Sequence, residues 1–387
     1  MNITNKYVVE AILFFSYVLF AMAWVGGTAS MDQIMAAMQL HDLASASFIS
    51  GAVTFAKIVG TFLAAWVALK LGVKFAFLLS AAMVVAGVLT PMADSYEMLL
   101  SSRFLMGLGG ALMVVYFNPI VLQFFAVEER PTVNGLNAVA FNVGTAIILW
   151  GMPGFNELFG GWKASLVAFS LASAFMMILW MLVEWRDKSQ LEQAAVATEK
   201  YTYIEGLKDP FVWTYALTYA GLLSFYVCLF TFYPKAGIIA SKWVIGFGII
   251  GTVAGILYSR KVVARIPIIR WSGLFQTVMV VGLSFSGDAV IQTLCAMVLG
   301  FFVFAPVTAL VSIPHELPNM TASKITVVFS LFWSISYMVA TIVLWFFGKL
   351  VDVYGDFNYA FAMISLVSTT FFFGSFFLPS GKEKQSA

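Results

Sequence analysis

Long apolar runs separated by short polar breaks make up the chain. Runs of about 20 apolar residues, enough at about 1.5 Å rise per residue to cross about 30 Å of hydrocarbon, fall at roughly 7–30, 44–69, 75–93, 97–124, 133–156, 162–184, 210–234, 239–258, 268–287, 289–312, 322–349 and 357–379. Each is expected to be a transmembrane helix. Breaks such as Leu71-Gly72-Val73-Lys74, Glu128-Glu129-Arg130-Pro131 and Leu317-Pro318-Asn319 put a breaker or charge where a helix should stop. One polar stretch is longer, Glu184 to Asp209, with Arg186, Asp187, Lys188, Glu192, Glu199, Lys200 and Lys208, and it falls near the middle of the chain. The pattern predicts an all-α membrane protein of twelve transmembrane helices in two pseudo-symmetric six-helix bundles. The bundles span 1–184 and 210–387 and a linker spans 185–209. The first run, with Lys6 ahead of it and Gly26-Gly27-Thr28-Ala29-Ser30 at its end, also fits a secretory signal, but eleven further runs favour a first span.

Composition fixes the solvent. Of 387 residues 61% are hydrophobic and 10% charged, against about 25% charged in soluble domains, and mean hydropathy is +0.93. Lipid must cover what no water-soluble core can hide. The net charge of +2 is spread out, with no basic patch for nucleic acid and no acidic tail. Cys228 and Cys295 lie within apolar runs and support neither a disulfide framework nor a metal site. With both termini cytoplasmic, 15 of the 21 Lys and Arg residues fall on cytoplasmic segments, four on the opposite side and two, Lys57 and Arg103, inside spans. That is a positive-inside distribution.

An internal repeat accompanies the halves. Gly60-Thr61, Lys70 and Lys74 reappear 191 residues later as Gly251-Thr252, Lys261 and Arg265. Pro119, Glu129 and Pro131 reappear 187 residues later as Pro306, Glu316 and Pro318. These features together resemble the major facilitator superfamily over the whole chain. Arg103-Phe104-Leu105-Met106-Gly107-Leu108-Gly109-Gly110 in span 4 is similar to that superfamily's arginine-plus-glycine pattern, where glycines permit close helix approach. After span 2 the family usually shows Gly, Asp-Arg, then Gly-Arg-Arg or Gly-Arg-Lys. Here Leu69-Lys70-Leu71-Gly72-Val73-Lys74 keeps the glycine and two cations but lacks the aspartate, so the charge-relay latch attributed to it is not carried over. Span 11, from Thr321-Ala322-Ser323 to Gly348-Lys349-Leu350-Val351-Asp352, resembles the cyanate and nitroimidazole permease group.

The spans carry no converging titratable groups, metal-ligand spacing or phosphate loop, and His41 and His315 fall at opposite faces, so no enzyme and no cofactor is expected. What the core offers is Lys57 near the middle of span 2 and Arg103, about 9 Å by helical rise from the outer end of span 4. A cation there costs at least about 2.5–3.5 kcal/mol on insertion scales and marks a site by default. Arg103 serves equally as a donor to backbone carbonyls of span 1 or a neighbour. Lys57 is read as the substrate's counter-charge, against snorkelling or pairing with Asp32 or Glu10. The resemblance implies a cavity lined by spans 1, 4, 7 and 10, bringing Trp24, Tyr116, Asn118, Gln123, Tyr215, Tyr219, Tyr226 and Gln292, with Asn142 from span 5. Each aromatic reads as readily as packing. Pro119 after Asn118 frees a carbonyl that a kinked helix can present to a cavity. Lys70, Gly72, Lys74, Lys261 and Arg265 are expected to bias the conformational states rather than to touch substrate.

Three functions remain open: a secondary transporter of a small anionic solute, a carrier or exporter of amphipathic neutral or cationic compounds walled by the 38 Phe and 19 Met, and a non-transporting receptor. Two buried cations and no mid-membrane carboxylate favour the first, and loops too short for a recognition domain weigh against the third. The expected partners are the solute, the bilayer of the cytoplasmic membrane and a coupling proton or counter-ion, with no nucleic acid and a monomeric state.

Overall fold

Helices dominate because uninterrupted apolar segments in lipid must satisfy every backbone N–H and C=O within themselves. The computed structural model describes residues 3–126, 128–185, 201–262 and 264–379. Among them no strand forms, only one isolated bridge between Ile3 and Val183. Ten helices are long and apolar enough to cross a membrane: α1 (Lys6–Ala29), α2 (Leu43–Leu71), α4 (Tyr96–Phe124), α5 (Arg130–Phe159), α6 (Trp162–Met181), α7 (Pro210–Phe232), α8 (Lys242–Lys261), α9 (Ile266–Phe285), α10 (Ala289–Glu316) and α11 (Ala322–Tyr354). Two shorter apolar segments, α3 (Val73–Leu89) and α12 (Asn358–Gly374), hold the third and twelfth places. The twelve-helix architecture therefore stands. Residues 186–200 of the expected linker lie outside the described residues, and Tyr203–Lys208 within it is a short helix capped reciprocally by Thr202 and Glu205.

Six of the twelve helix starts carry a side-chain cap. Asn5, Asp42, Ser95, Asp209, Asp288 and Thr321 each accept a hydrogen bond from a first-turn N–H, satisfying donors the helix itself leaves open. α10 breaks at Pro306, which ends one helical piece at Phe304 and starts the next at Val307. The internal repeat has a packing counterpart. A Cβ on Gly60 would strike Ala111 of α4 and one on Gly251 would strike Phe301 of α10, so each half needs a glycine where its second helix crosses its fourth.

The two faces of the bundle differ. Ile3 pairs through its backbone with Leu182 and Glu184 at 2.8 and 2.9 Å, which brings the start of α1 beside the end of α6 and defines a terminal face. On the opposite face the halves are tied together. Asp352, at the end of α11, accepts from the Leu43 and Ala44 N–H groups at the start of α2, at 2.7 and 2.8 Å. Lys235 pairs with Asp32 beside it. Deeper in, Thr54 meets Thr341 at 2.7 Å and Thr61 meets Ser334 at 2.8 Å. These contacts keep one antiparallel register, since steps of eleven and seven residues on α2 match equal steps on α11. Both steps are close to whole turns at about 3.6 residues each. One hydroxyl-lined seam therefore runs from the far face toward the middle.

Asp352→Ala removes a cap that crosses the halves, which costs about 1 kcal/mol, or about fivefold in a population. With Cys228 and Cys295 replaced by alanine, a cysteine at Ile148, buried in the far-face vestibule, should react about fivefold faster with a membrane-impermeant thiol reagent once Asp352→Ala is added. Equal rates would show that Asp352 does not hold that face shut.

Candidate functional site

α2 turns Lys57 inward at mid-span, where it is 4% exposed. Among the described residues no carboxylate reaches it. Asp32 is engaged with Lys235, and Glu10 accepts from Asn137 at 3.4 Å. Its ammonium donates to the Tyr17 hydroxyl at 3.4 Å and lies over five rings: Tyr17, Phe20, Trp24, Phe141 and Tyr337, with centroids 5.2 to 5.8 Å away. Each such contact contributes about 0.5–2 kcal/mol. Together they are of the order of the insertion cost of the cation. Four of the rings come from the N-terminal half and Tyr337 from α11 of the other, so the box closes across the seam.

A cavity of about 480 Å³ begins at Lys57 and Tyr17 and runs toward the terminal face. α2 contributes Thr61 and Ala65 to its wall, α4 contributes Ala111, Val114, Val115 and Asn118, and α11 contributes Tyr337, Trp333, Ser330, Phe329, Thr326 and Ile325. His315, at the end of α10, stands at the mouth. On the other side of the ring box lies a vestibule of about 440 Å³ lined by Asp32, Lys235, Asn156 and Phe230. What separates the two is a plug of rings. Trp24 packs on Phe141 and Phe230 with centroids 5.3 and 5.6 Å apart, and Tyr226 packs on Phe230 at 5.4 Å. Tyr226 also donates to Asn142 at 2.9 Å across the halves.

The sequence-predicted residues divide accordingly. Lys57 and Asn118 line the cavity, Trp24 backs Lys57 while donating to Ser50 at 2.9 Å, and Asn142 with Tyr226 belongs to the plug. Tyr219 sits behind the wall against Phe332 and Trp333. Tyr116 is turned into the N-terminal half, donating to the Ala64 carbonyl at 2.9 Å, and Tyr215 likewise donates to Leu310 within its own half. Gln292 caps the α9–α10 turn through Ser286 at 2.8 Å, on the far face, while Gln123 lies in a small cleft beside Lys6 and Glu184.

Arg103 is fully buried and spends its donors on backbone. Its Nε reaches Ile49 O, its Nη2 reaches Trp24 O at 2.8 Å, and longer contacts go to Ala23 O and Thr28 at 3.4 Å. A Cβ on Gly27 would collide with that guanidinium, so the glycine makes room for it. Arg103 thus ties α4 to α1 and α2 and does not face the cavity.

The terminal-face cations behave unequally. Arg265 grips Glu316 at 2.7 Å and the Ser259 and Val262 carbonyls, a clasp inside the C-terminal half. Lys70 and Lys261 are exposed and Lys74 half-buried, while Gly72 between the first helices adopts φ +74, a value that favours glycine. Glu129 pairs with Lys6 at 2.6 Å, and that hydrogen bond holds its carboxyl below the usual range.

Twelve membrane helices around a central cavity closed on one face define a solute-transporter architecture. The model of the Major Facilitator Superfamily matches residues 13–341, and the chain belongs to that superfamily of secondary transporters. An uncharacterized protein of Campylobacter jejuni is 29% identical over 226 residues, covering 58% of this chain and 69% of that protein. An uncharacterized protein of Mesomycoplasma hyopneumoniae is 19% identical over 242 residues, 57% of this chain, which spans half of that protein's length. The inward-open xylose transporter XylE of E. coli shares the fold with a TM-score of 0.77 over 98% of both chains at 13% identity.

Several site residues were not singled out from sequence: Tyr17, Phe20, Phe141, Trp333 and Tyr337. The four-residue spacing of Phe329, Trp333 and Tyr337 on α11 was the available signal. The resemblance points to spans 1, 4, 7 and 10, whereas the structure adds α2 and α11 to the wall.

Arg103→Met should lower the melting temperature by the equivalent of about 1.5–3 kcal/mol, since it strips charge-assisted donors from buried carbonyls. Ligand affinity of the folded fraction should stay within twofold. A stable variant with weakened binding would instead make Arg103 a substrate residue.

Proposed function

We propose that this transporter binds a small anion at Lys57 and carries it across the cytoplasmic membrane, with both chain termini in the cytoplasm. The observation that carries the reading is a buried ammonium, without a carboxylate partner among the described residues, at the closed end of a central cavity. Ring faces hold the cation but leave most of its hydrogen-bonding capacity unspent, and a carboxylate or similar group supplies what they cannot. Lys57 is also the only lysine, arginine or carboxylate side chain among the cavity's described lining residues, with His315 at the mouth. A positive cavity disfavours the rival reading, export of cationic amphipathic compounds. The orientation rests on the positive-inside bias of 15 to 4.

The geometry then represents an inward-facing state. Solute enters or leaves past His315 and Asn118, while the Asp352 cap, the Lys235–Asp32 pair and the ring plug close the far face. Alternating access requires the seam between α2 and α11 to open on one face as it closes on the other.

In a thermal-shift screen of small organic anions, ligands should stabilise wild type by mass action. Lys57→Ala should then weaken the best anion roughly tenfold to more than a hundredfold, the equivalent of about 1.5–3 kcal/mol, without lowering the melting temperature of the empty protein. Lys57→Arg should rescue only part, because its flat head group does not fit the same ring box. Undiminished anion affinity in Lys57→Ala would end the counter-charge reading.

A further inference from the structure

The cavity wall changes character along its depth, and that change selects among anions. Lys57 is the single lysine or arginine among the described lining residues, so a ligand with two carboxylates would leave its second one against Ala111, Val114 and Val115, buried and unpaired. Above Lys57 the two long walls differ. On α11, Phe329, Trp333 and Tyr337 follow one another at four-residue spacing, and the Trp333 and Tyr337 rings lie with centroids 6.0 Å apart at 28°. The wall on α4 consists of the small aliphatic side chains of Ala111, Val114 and Val115, with Asn118 at its mouth end. Between a stripe of rings and a low aliphatic wall the space is a slot suited to a flat body. At the mouth Asn118 and His315 make no side-chain hydrogen bond within the described residues and can meet one neutral polar substituent. By helical rise the lining spans about 12–18 Å from Lys57 to the mouth, and the volume of about 480 Å³ suits an organic ligand rather than a bare inorganic ion.

We propose that the cavity takes an aromatic monocarboxylate, with its carboxylate on the Lys57 ammonium and its ring between α4 and the Phe329–Trp333–Tyr337 stripe. This rests on the anionic reading above and narrows it. The rings around Lys57 present negative faces to the ammonium, so a carboxylate reaches it only from the cavity side, which sets the ligand's direction. Aromatic stacking on the stripe then adds affinity that a short aliphatic acid lacks.

The test is calorimetric binding to the purified full chain with four probes: benzoate, its neutral isostere benzamide, acetate and succinate. Benzoate should bind tightest, and benzamide at least tenfold more weakly. Lys57→Ala should raise the benzoate Kd tenfold or more and leave benzamide unchanged. Trp333→Ala should raise the benzoate Kd about tenfold with little effect on acetate, and Trp333→Leu, which keeps an apolar body of substantial volume, repeats the test if the alanine variant does not fold. Acetate or succinate binding as tightly as benzoate, and dependent on Lys57, would overturn the aromatic slot while leaving the anionic reading intact. Absence of binding by all three acids, or benzoate binding indifferent to Lys57→Ala, would overturn both.

Discussion

A lysine ammonium at mid-membrane has to be compensated, and in this chain the compensation comes from ring faces. Five aromatic rings and one phenol hydroxyl surround Lys57, and their combined attraction is comparable with the cost of placing the cation there. The rest of the centre is arranged around that constraint. α1 supplies three of the rings, α5 one and α11 the last, so the box exists only while the two halves stand against each other at mid-depth. An ion pair in the same place would have neutralised the charge, whereas ring faces leave it in place.

The same rings do a second job. Trp24 and Phe141 touch Lys57 on one side and the plug residues Phe230 and Tyr226 on the other. The Lys57 box and the contacts that separate cavity from vestibule therefore share the same two rings. The hydroxyl seam between α2 and α11 is suited to movement for a related reason. Its contacts at Thr54–Thr341 and Thr61–Ser334 are side-chain hydroxyl pairs, each worth about 0.5–1.5 kcal/mol. Thr54, Thr61 and Thr341 also donate to backbone carbonyls of their own helices, whereas Ser334 donates to Ile58 across the seam. Three of the four hydroxyls therefore keep a partner on their own helix when the seam separates, and only Ser334 gives up both of its contacts. Arg103 behaves oppositely, locking α1, α2 and α4 into one body through backbone carbonyls.

How legible this was in the sequence follows from what each feature depends on. Span number, the two halves and the repeat of Gly60 at Gly251 were readable, because hydrocarbon thickness and duplication act on local sequence, while the helix crossings those two glycines serve were not. Lys57 stood out for the same reason, since a charge in an apolar run is conspicuous whatever the fold. Its ring box was not readable. Tyr17, Phe20 and Trp24 are three of many aromatics in a chain where 16% of residues are aromatic, and only the crossing of α1, α2, α5 and α11 gathers five around one atom. The Asp352 cap on α2 joins residues 309 apart in sequence. Arg103 was ambiguous because a guanidinium suits carbonyl and carboxylate alike, and the choice depends on which helix end comes near.

The central claim, that Lys57 is an anchor for a negative charge, is tested most directly by a thermodynamic cycle. The tightest-binding carboxylate and its neutral amide are titrated into wild type and Lys57→Gln, and the coupling between ligand charge and side-chain charge is read from the four affinities. The account predicts that the carboxylate's advantage over the amide falls by at least tenfold in the variant. An advantage that is the same in both proteins would contradict it.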